Sequence, residues 1–210
     1  MQNITYHVKN AIYVNLTNRC PCACTFCLRQ LGPGAHGSVP LWLEHEPTAA
    51  EVCADLTKWD WNEYKELVFC GYGEPTERLD VLVTIAKWMR ENHPEVKIRV
   101  NTNGLGDLIW GRDITLELAG KSTRSPIVDT VSVSLNTDDP EEYLKVCRPK
   151  FGAAAYPALK TFAQNAARRG IKVVMTIVDT PVTTKEQQAR CREIAESLGA
   201  TLRIRPYESK

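Results

Sequence analysis

Six short apolar runs recur along the chain at intervals long enough to hold a helix, and this alternation restricts the fold more than any other feature. They occupy residues 12–17, 67–70, 98–102, 131–135, 173–178 and 202–204. Between them, apolar side chains fall at helical spacing. Thr48 with Glu51 reads as a capping box, after which Val52, Leu56 and Trp59 share a face. Leu79, Leu82, Ala86 and Met89 form a second stripe that stops before His93-Pro94. Asp139-Pro140 opens a third helix with Tyr143, Leu144 and Cys147. Pro157 opens a fourth, with Leu159, Phe162, Ala163 and Ala166 facing inward and Gly170 ending it. Thr183 with Glu186 opens the last, whose stripe of Cys191, Ile194, Ala195 and Leu198 closes at Gly199. Strands separated by helix-length crossovers pair in parallel and carry their helices outside. The expected fold is therefore α/β in a single domain spanning residues 1–210, with no internal repeat or linker. Periodicity leaves two forms open, a doubly wound sheet and a curved barrel fragment. A full eight-unit barrel typically needs about 250 residues, so six units would make a partial one.

Charge and composition remove several function classes. Twenty-six basic and twenty-five acidic side chains leave a net charge of +1, so no global field recruits nucleic acid or an anionic membrane. The longest apolar stretch, 173–178, is far too short to span a bilayer, and the first ten residues lack a secretory pattern. The expected compartment is the reducing cytosol. There, cysteines crowded together suggest metal or redox chemistry before disulfides. Four of the eight cysteines lie within eight residues: Cys20, Cys22, Cys24 and Cys27.

In a parallel α/β architecture the loops leaving the C-terminal strand ends build the functional face. The long segment after the first strand, with its cysteine loop at 18–47, belongs to that face, as does the stretch 104–126. Taking Cys20, Cys24 and Cys27 as a set gives C-x3-C-x2-C, with Phe26 before the last cysteine. Thiolates are soft ligands suited to iron–sulfur clusters or zinc. Three thiolates on a four-iron cluster leave one iron open to a cofactor or substrate. A structural zinc using all four cysteines is the competing reading, as are cysteines that merely occupy a loop. The second strand runs into Cys70-Gly71-Tyr72-Gly73-Glu74-Pro75, where glycines permit close backbone approach. The third ends in Asn101-Thr102-Asn103-Gly104, and the fourth contains Ser132-Val133-Ser134-Leu135-Asn136. Alternation puts Asn101 with Asn103 on one face, and Ser132, Ser134 and Asn136 on another.

In this order along successive strands, these segments resemble the radical S-adenosylmethionine (SAM) superfamily. Tyr72 stands where the commonest form of the Gly-Gly-Glu-Pro element has glycine. The stretches 13–20, 41–44 and 68–75, the Cys147-Arg148-Pro149 turn and the basic Arg203-Ile204-Arg205 end are similar to the short radical SAM proteins described as TatD-associated. The resemblance implies a parallel sheet curved into a partial (β/α)6 TIM-like barrel. It implies a [4Fe-4S] cluster held by Cys20, Cys24 and Cys27, which chelates SAM and reductively cleaves it to a 5′-deoxyadenosyl radical that abstracts hydrogen from a substrate. It places Phe26, Tyr72, Gly73, Glu74, Asn101, Asn103, Ser134 and Asn136 around SAM, with Arg148 pairing a carboxylate. Cys22 is then expected to point away from the cluster. The implied partners are an unidentified substrate, an electron donor such as a flavodoxin or ferredoxin, and a functional link to a TatD-type hydrolase. A glycyl-radical activase acting on a partner protein and a non-enzymatic zinc or iron–sulfur module are the alternatives. Within residues 28–47, Arg29, His36, Trp42, Glu44 and His45 are the candidate substrate contacts.

Overall fold

A computed structural model describes residues 2–30, 40–121 and 125–207. Among them are seven strands that pair strictly with their chain neighbours: β1 (Thr5–Val8), β2 (Ala11–Val14), β3 (Glu66–Phe69), β4 (Lys97–Thr102), β5 (Thr130–Ser134), β6 (Lys172–Asp179) and β7 (Thr201–Pro206). β2 to β7 are parallel, so the six expected strands are present. β1 adds an antiparallel edge through a tight turn in which Lys9 has φ 55°. β1 and β7 are not paired with each other, so the sheet is an open, incomplete barrel. Outside it lie α1 (Ala49–Leu56), α2 (Leu79–Asn92), α3 (Gly106–Trp110), α4 (Thr115–Ala119), α5 (Pro140–Cys147), α6 (Ala155–Arg168) and α7 (Lys185–Ser197). None is long and apolar enough to cross a membrane.

Each parallel strand is two-faced, because successive side chains point to opposite sides of a sheet. Ile12, Leu67, Phe69, Ile98, Val100, Val131, Val133 and Met175 point outward and are fully buried against the helices. There they join Leu82, Ile85 and Met89 of α2 and Leu159, Phe162 and Ala163 of α6 in one continuous core. The intervening residues, among them Tyr13, Glu66, Arg99, Asn101, Ser132, Ser134 and Thr176, point into a cavity of about 1360 Å³. The centre of this barrel is thus polar and open, unlike the apolar layers that fill a closed eight-stranded barrel.

Three details depart from the expected elements. The capping box of α7 is Thr184 with Gln187, one residue beyond Thr183 and Glu186. The Thr183 hydroxyl is instead occupied in the preceding turn, donating to Val178 O at 3.3 Å and accepting from Thr180 N at 3.1 Å. α6 begins at Ala155, so Pro157 lies inside its first turn, where a missing N–H costs no intrahelical bond. The segment 104–126 holds α3 and α4, each of five residues and too short to show a period.

The capping box of α1 is as expected: Thr48 Oγ1 accepts from Glu51 N at 3.2 Å, and Thr48 N donates to Glu51 Oε2 at 2.8 Å. Thr48→Ala should destabilise the protein by about 1 kcal/mol, read as a lower denaturant midpoint at unchanged slope. A fall in the slope would instead mean that the 41–47 segment also detaches.

Candidate functional site

The loop that leaves β2 is closed at its base by a side-chain zipper. Asn15 is fully buried and donates Nδ2 to Leu41 O at 2.6 Å. Asn18 exchanges bonds with the backbone of Leu43, at 2.8 and 3.1 Å. Arg19 grips Glu46 with Nε to Oε1 at 2.7 Å and Nη2 to Oε2 at 3.1 Å. Residues 15–19 and 41–46 are thereby joined, and the cysteine segment projects from a fixed stem. That segment lies along the end of α5. Ala23 N donates to Cys147 O at 3.1 Å, Thr25 N to Val146 O at 2.9 Å and Lys150 N to Pro21 O at 2.8 Å, with Cys22 bridged to Pro149.

Cys20, Cys24 and Cys27 are partly exposed, whereas Cys22 and Cys147 are buried. The Cys24 thiol reaches Cys147 O at 3.7 Å, and the thiols of the buried pair neighbour those of Cys20 and Cys24. The Cys147 thiol, and after it that of Cys22, holds the Cys24 thiol down to about 4. A bond from Cys22 lowers Cys20. Cys22 and Cys147 are themselves pushed up by those same bonds. Burial pushes Cys27 up. Cys22 is buried and bridged through its backbone to Pro149, and its thiol neighbours those of Cys20 and Cys24. Among the described residues, no three His, Cys, Asp or Glu side chains already surround a common metal position.

Of the site residues expected from sequence, Cys24, Cys27, Phe26, Tyr72, Gly73, Glu74, Asn101, Asn103, Ser134 and Asn136 all line the cavity. Cys20 meets it through Asn103, whose Nδ2 lies 3.8 Å from the sulfur. Asn136 takes a left-handed backbone, φ 65°, which Asn tolerates better than other side chains. Its Nδ2 donates to Cys147 Sγ at 3.2 Å, while its Oδ1 is buried and has no hydrogen-bond partner among the described residues. Gly73 is required by packing: a Cβ there would stand 2.2 Å from Thr17 O and 2.6 Å from Arg19 O.

Glu74 and Arg148 make contacts that the resemblance did not imply. Glu74 is buried, and both its oxygens are already engaged: Oε1 accepts from Thr76 N (3.1 Å), Thr76 Oγ1 (2.8 Å) and Thr102 Oγ1 (2.7 Å), and Oε2 from Asn103 N (2.7 Å). Its carboxylate holds the ends of β3 and β4 together and caps the short 3-10 turn Pro75–Arg78. Arg148 does not line the cavity. It caps the C-terminus of α5 with φ 46° and is exposed, donating to Lys145 O at 3.4 Å. The guanidiniums inside the cavity are those of Arg29, Arg99, Arg203 and Arg205. The signal for the last three was strand alternation: Arg99 shares a face with Asn101, and Arg203 with Arg205.

Of the candidate substrate contacts, Arg29 lines the cavity. Trp42 lies behind it, its ring 5.0 Å from that of Tyr72 and covered by the Arg29 guanidinium at 5.6 Å. Glu44 and His45 do not line the cavity: both backbone amides donate to Gln2 Oε1, and the His45 ring meets Glu51 at 3.0 Å. His36 lies outside the described residues.

Two expectations follow from these contacts. A thiol held at about 4 is already thiolate at pH 6, whereas one raised by burial is still protonated there. In reduced, metal-free protein, iodoacetamide at pH 6 should therefore label Cys24 well ahead of Cys27 by peptide mass mapping; equal labelling would contradict the hydrogen-bond assignment. Glu74→Ala strands the buried Asn103 N–H and should cost about 2–4 kcal/mol in chemical denaturation. A loss of SAM affinity at unchanged stability would return the carboxylate to a binding role.

The profile of the Radical SAM superfamily matches residues 14–195, from the last residue of β2 to within α7. A search of curated proteins found no match. Among solved structures, SuiB of Streptococcus suis bound to the precursor peptide SuiA aligns with a TM-score of 0.71 and 16% identity, over 97% of this chain and 40% of that one. SuiB bound to S-adenosylmethionine aligns with a TM-score of 0.69 and 17% identity, over 94% and 40%. A radical SAM methyltransferase from Sphaerobacter thermophilus gives 0.69 and 16%, over 98% and 59%. At these identities the likeness is one of fold, and the chain spans only 40% to 59% of the length of these proteins. The match over most of its length, together with an open parallel barrel carrying a cysteine loop on its C-terminal rim, shows that the chain belongs to the Radical SAM superfamily, whose members use a [4Fe-4S] cluster and SAM.

Proposed function

We propose that this chain is a radical SAM enzyme whose cluster is held by Cys20, Cys24 and Cys27. The observation that carries the reading is the position of the cysteine loop. It is fixed across the C-terminal strand ends so that Cys24 and Cys27 line the same cavity as Asn101, Asn103, Ser134 and Asn136. The donor set fits the group: three soft, partly exposed thiols in one short loop, one already held as thiolate by its neighbours. The unsatisfied Oδ1 of Asn136 fits a hydrogen-bond donor on a bound ligand. One-electron reduction of SAM at such a cluster supplies the 5′-deoxyadenosyl radical that abstracts hydrogen from the substrate.

The protein's own residues bind, orient and exclude. Asn101, Asn103 and Ser134 offer polar contacts along the strand ends, while Phe26 and Tyr72 present apolar surface that keeps solvent from the reacting centre. Cys22 and Cys147 keep their protons at neutral pH beside the ligand sulfurs. The described residues then form a radical SAM core domain. An electron donor such as a flavodoxin or ferredoxin, the reducing cytosol and a link to a TatD-type hydrolase complete the proposal. A substrate larger than a free metabolite suits the side left open between β1 and β7.

A second reading, a closed four-cysteine metal module without activity, draws on Cys22, whose thiol neighbours those of Cys20 and Cys24. Anaerobic reconstitution with iron and sulfide separates the two. We expect about one four-iron cluster per chain, 5′-deoxyadenosine on adding SAM and dithionite, and loss of the cluster in Cys20→Ala, Cys24→Ala and Cys27→Ala. Cys22→Ser should keep full iron content and the spectral change on adding SAM. If Cys22→Ser loses its metal as completely as Cys24→Ala does, the centre is closed and the enzyme reading falls.

A further inference from the structure

The cavity contains more positive charge than it neutralises. On its β4–β7 side stand three guanidiniums, those of Arg99, Arg203 and Arg205. The nearest carboxylate, Glu66, is taken by Arg99 through Nε at 3.0 Å and Nη2 at 2.8 Å. The other carboxylate lining the cavity, Glu74, is consumed by its four internal bonds. Among the described residues, the side-chain hydrogen bond of Arg203 goes to a neutral partner, the Ser132 hydroxyl at 3.2 Å, while Glu66 attracts it without a direct bond. The Nε of Arg205 is buried and has no hydrogen-bond partner among the described residues. A buried guanidinium donor left unpaired is costly, and fold alone gives no reason to keep one.

We propose that Arg203 and Arg205, with Arg99 beside them, form a subsite for an anionic group of the substrate, a carboxylate or a phosphate. Their planar forks suit two-oxygen anions. Arg203, though exposed overall, is pulled down from the usual guanidinium range by partial desolvation and then by repulsion from Arg99 and Arg205, which an incoming anion offsets. The group adjoins the expected SAM contacts: Arg99 Nη1 donates to Asn101 Oδ1 at 3.1 Å, and Arg203 is level with Ser134 across β6. Competition with SAM therefore decides which ligand the guanidiniums serve. β7 is also an edge of the sheet, so its two arginines flank the side by which a substrate reaches the cavity. The subsite deepens the radical SAM reading and rests on it for the word substrate. Anion binding itself needs neither cluster nor SAM.

The test is calorimetry on the full chain at low ionic strength, with inorganic phosphate in one arm and succinate in the other. At least one should bind, and Arg203→Gln and Arg205→Gln should each weaken it about tenfold or more. Arg205→Lys should retain part of the affinity. Binding of phosphate alone assigns a phosphorylated substrate, and binding of succinate alone a carboxylated one. Without an anion, Arg205→Gln should melt no lower than the wild type, since it removes a buried donor with no partner. The proposal is overturned if neither anion binds, if the variants bind as the wild type does, or if Arg205→Gln melts lower. It is also overturned if SAM displaces the anion from reconstituted protein, for the guanidiniums then serve the cofactor. Anion binding intact in a protein that fails to cleave SAM would instead overturn the enzyme reading and leave an anion site in a different kind of protein.

Discussion

The Glu74 carboxylate is the point on which the rim of this barrel depends. Its two oxygens collect four donors, two from the turn that starts α2 and two from the end of β4. The same residue's backbone N–H reaches Arg19 O at 2.8 Å, which ties in the stem of the cysteine loop. The 3-10 turn, the end of β4 and the stem of the cysteine loop therefore meet on one residue, the first two through its carboxylate and the third through its backbone. Burial pushes its carboxyl up and the four donors pull it back, so the rim is held by a balance of large opposed effects. With Gly73 pressed against Thr17 and Arg19 beside it, the loop cannot shift without moving β3.

Below the rim, the sheet divides its labour by parity. Outward residues join the helices in a continuous apolar core, and inward residues leave a polar hollow instead of a second core. An incomplete barrel cannot fill its centre with interdigitating layers, because one wall is missing. A hollow lined with hydroxyls, amides and guanidiniums keeps its polar groups satisfied by solvent or ligand. The absence of a closing strand and the polarity of the interior are thus two aspects of one solution.

Much of this could be read from residues alone, for identifiable reasons. The outward rows of β3 to β6 give the apolar runs, and α1, α2, α5 and α6 carry stripes strong enough to show a period. β1 escaped notice because Thr5–Val8 has four residues and only Tyr6 is buried. The start of α7 was ambiguous because Thr183 with Glu186 and Thr184 with Gln187 both satisfy the capping pattern, and only the preceding turn decides between them. The cysteine spacing and the strand-end amides converge on one cavity as their order implied. Arg148 lies outside the cavity because an arginine just after a helix adopts the cap conformation and faces outward, a matter of backbone that composition does not reveal. Arg203 and Arg205 were visible as residues, but their partners, and the carboxylate they lack, depend on register across three strands.

The unpaired margins of the sheet have a consequence for solubility. An edge strand offers a row of free amides and carbonyls to any other extended chain, and two such edges on one molecule invite end-to-end growth into fibres. β7 resists this in recognised ways: it alternates charge with apolar residues, directs its guanidiniums inward and ends at Pro206, which has no N–H to offer. β1 is only four residues long, with Lys9 directly after it. Whatever ligand neutralises the β7 arginines therefore also weakens one guard against self-association, so the state that binds best is the one most exposed to aggregation at high protein concentration.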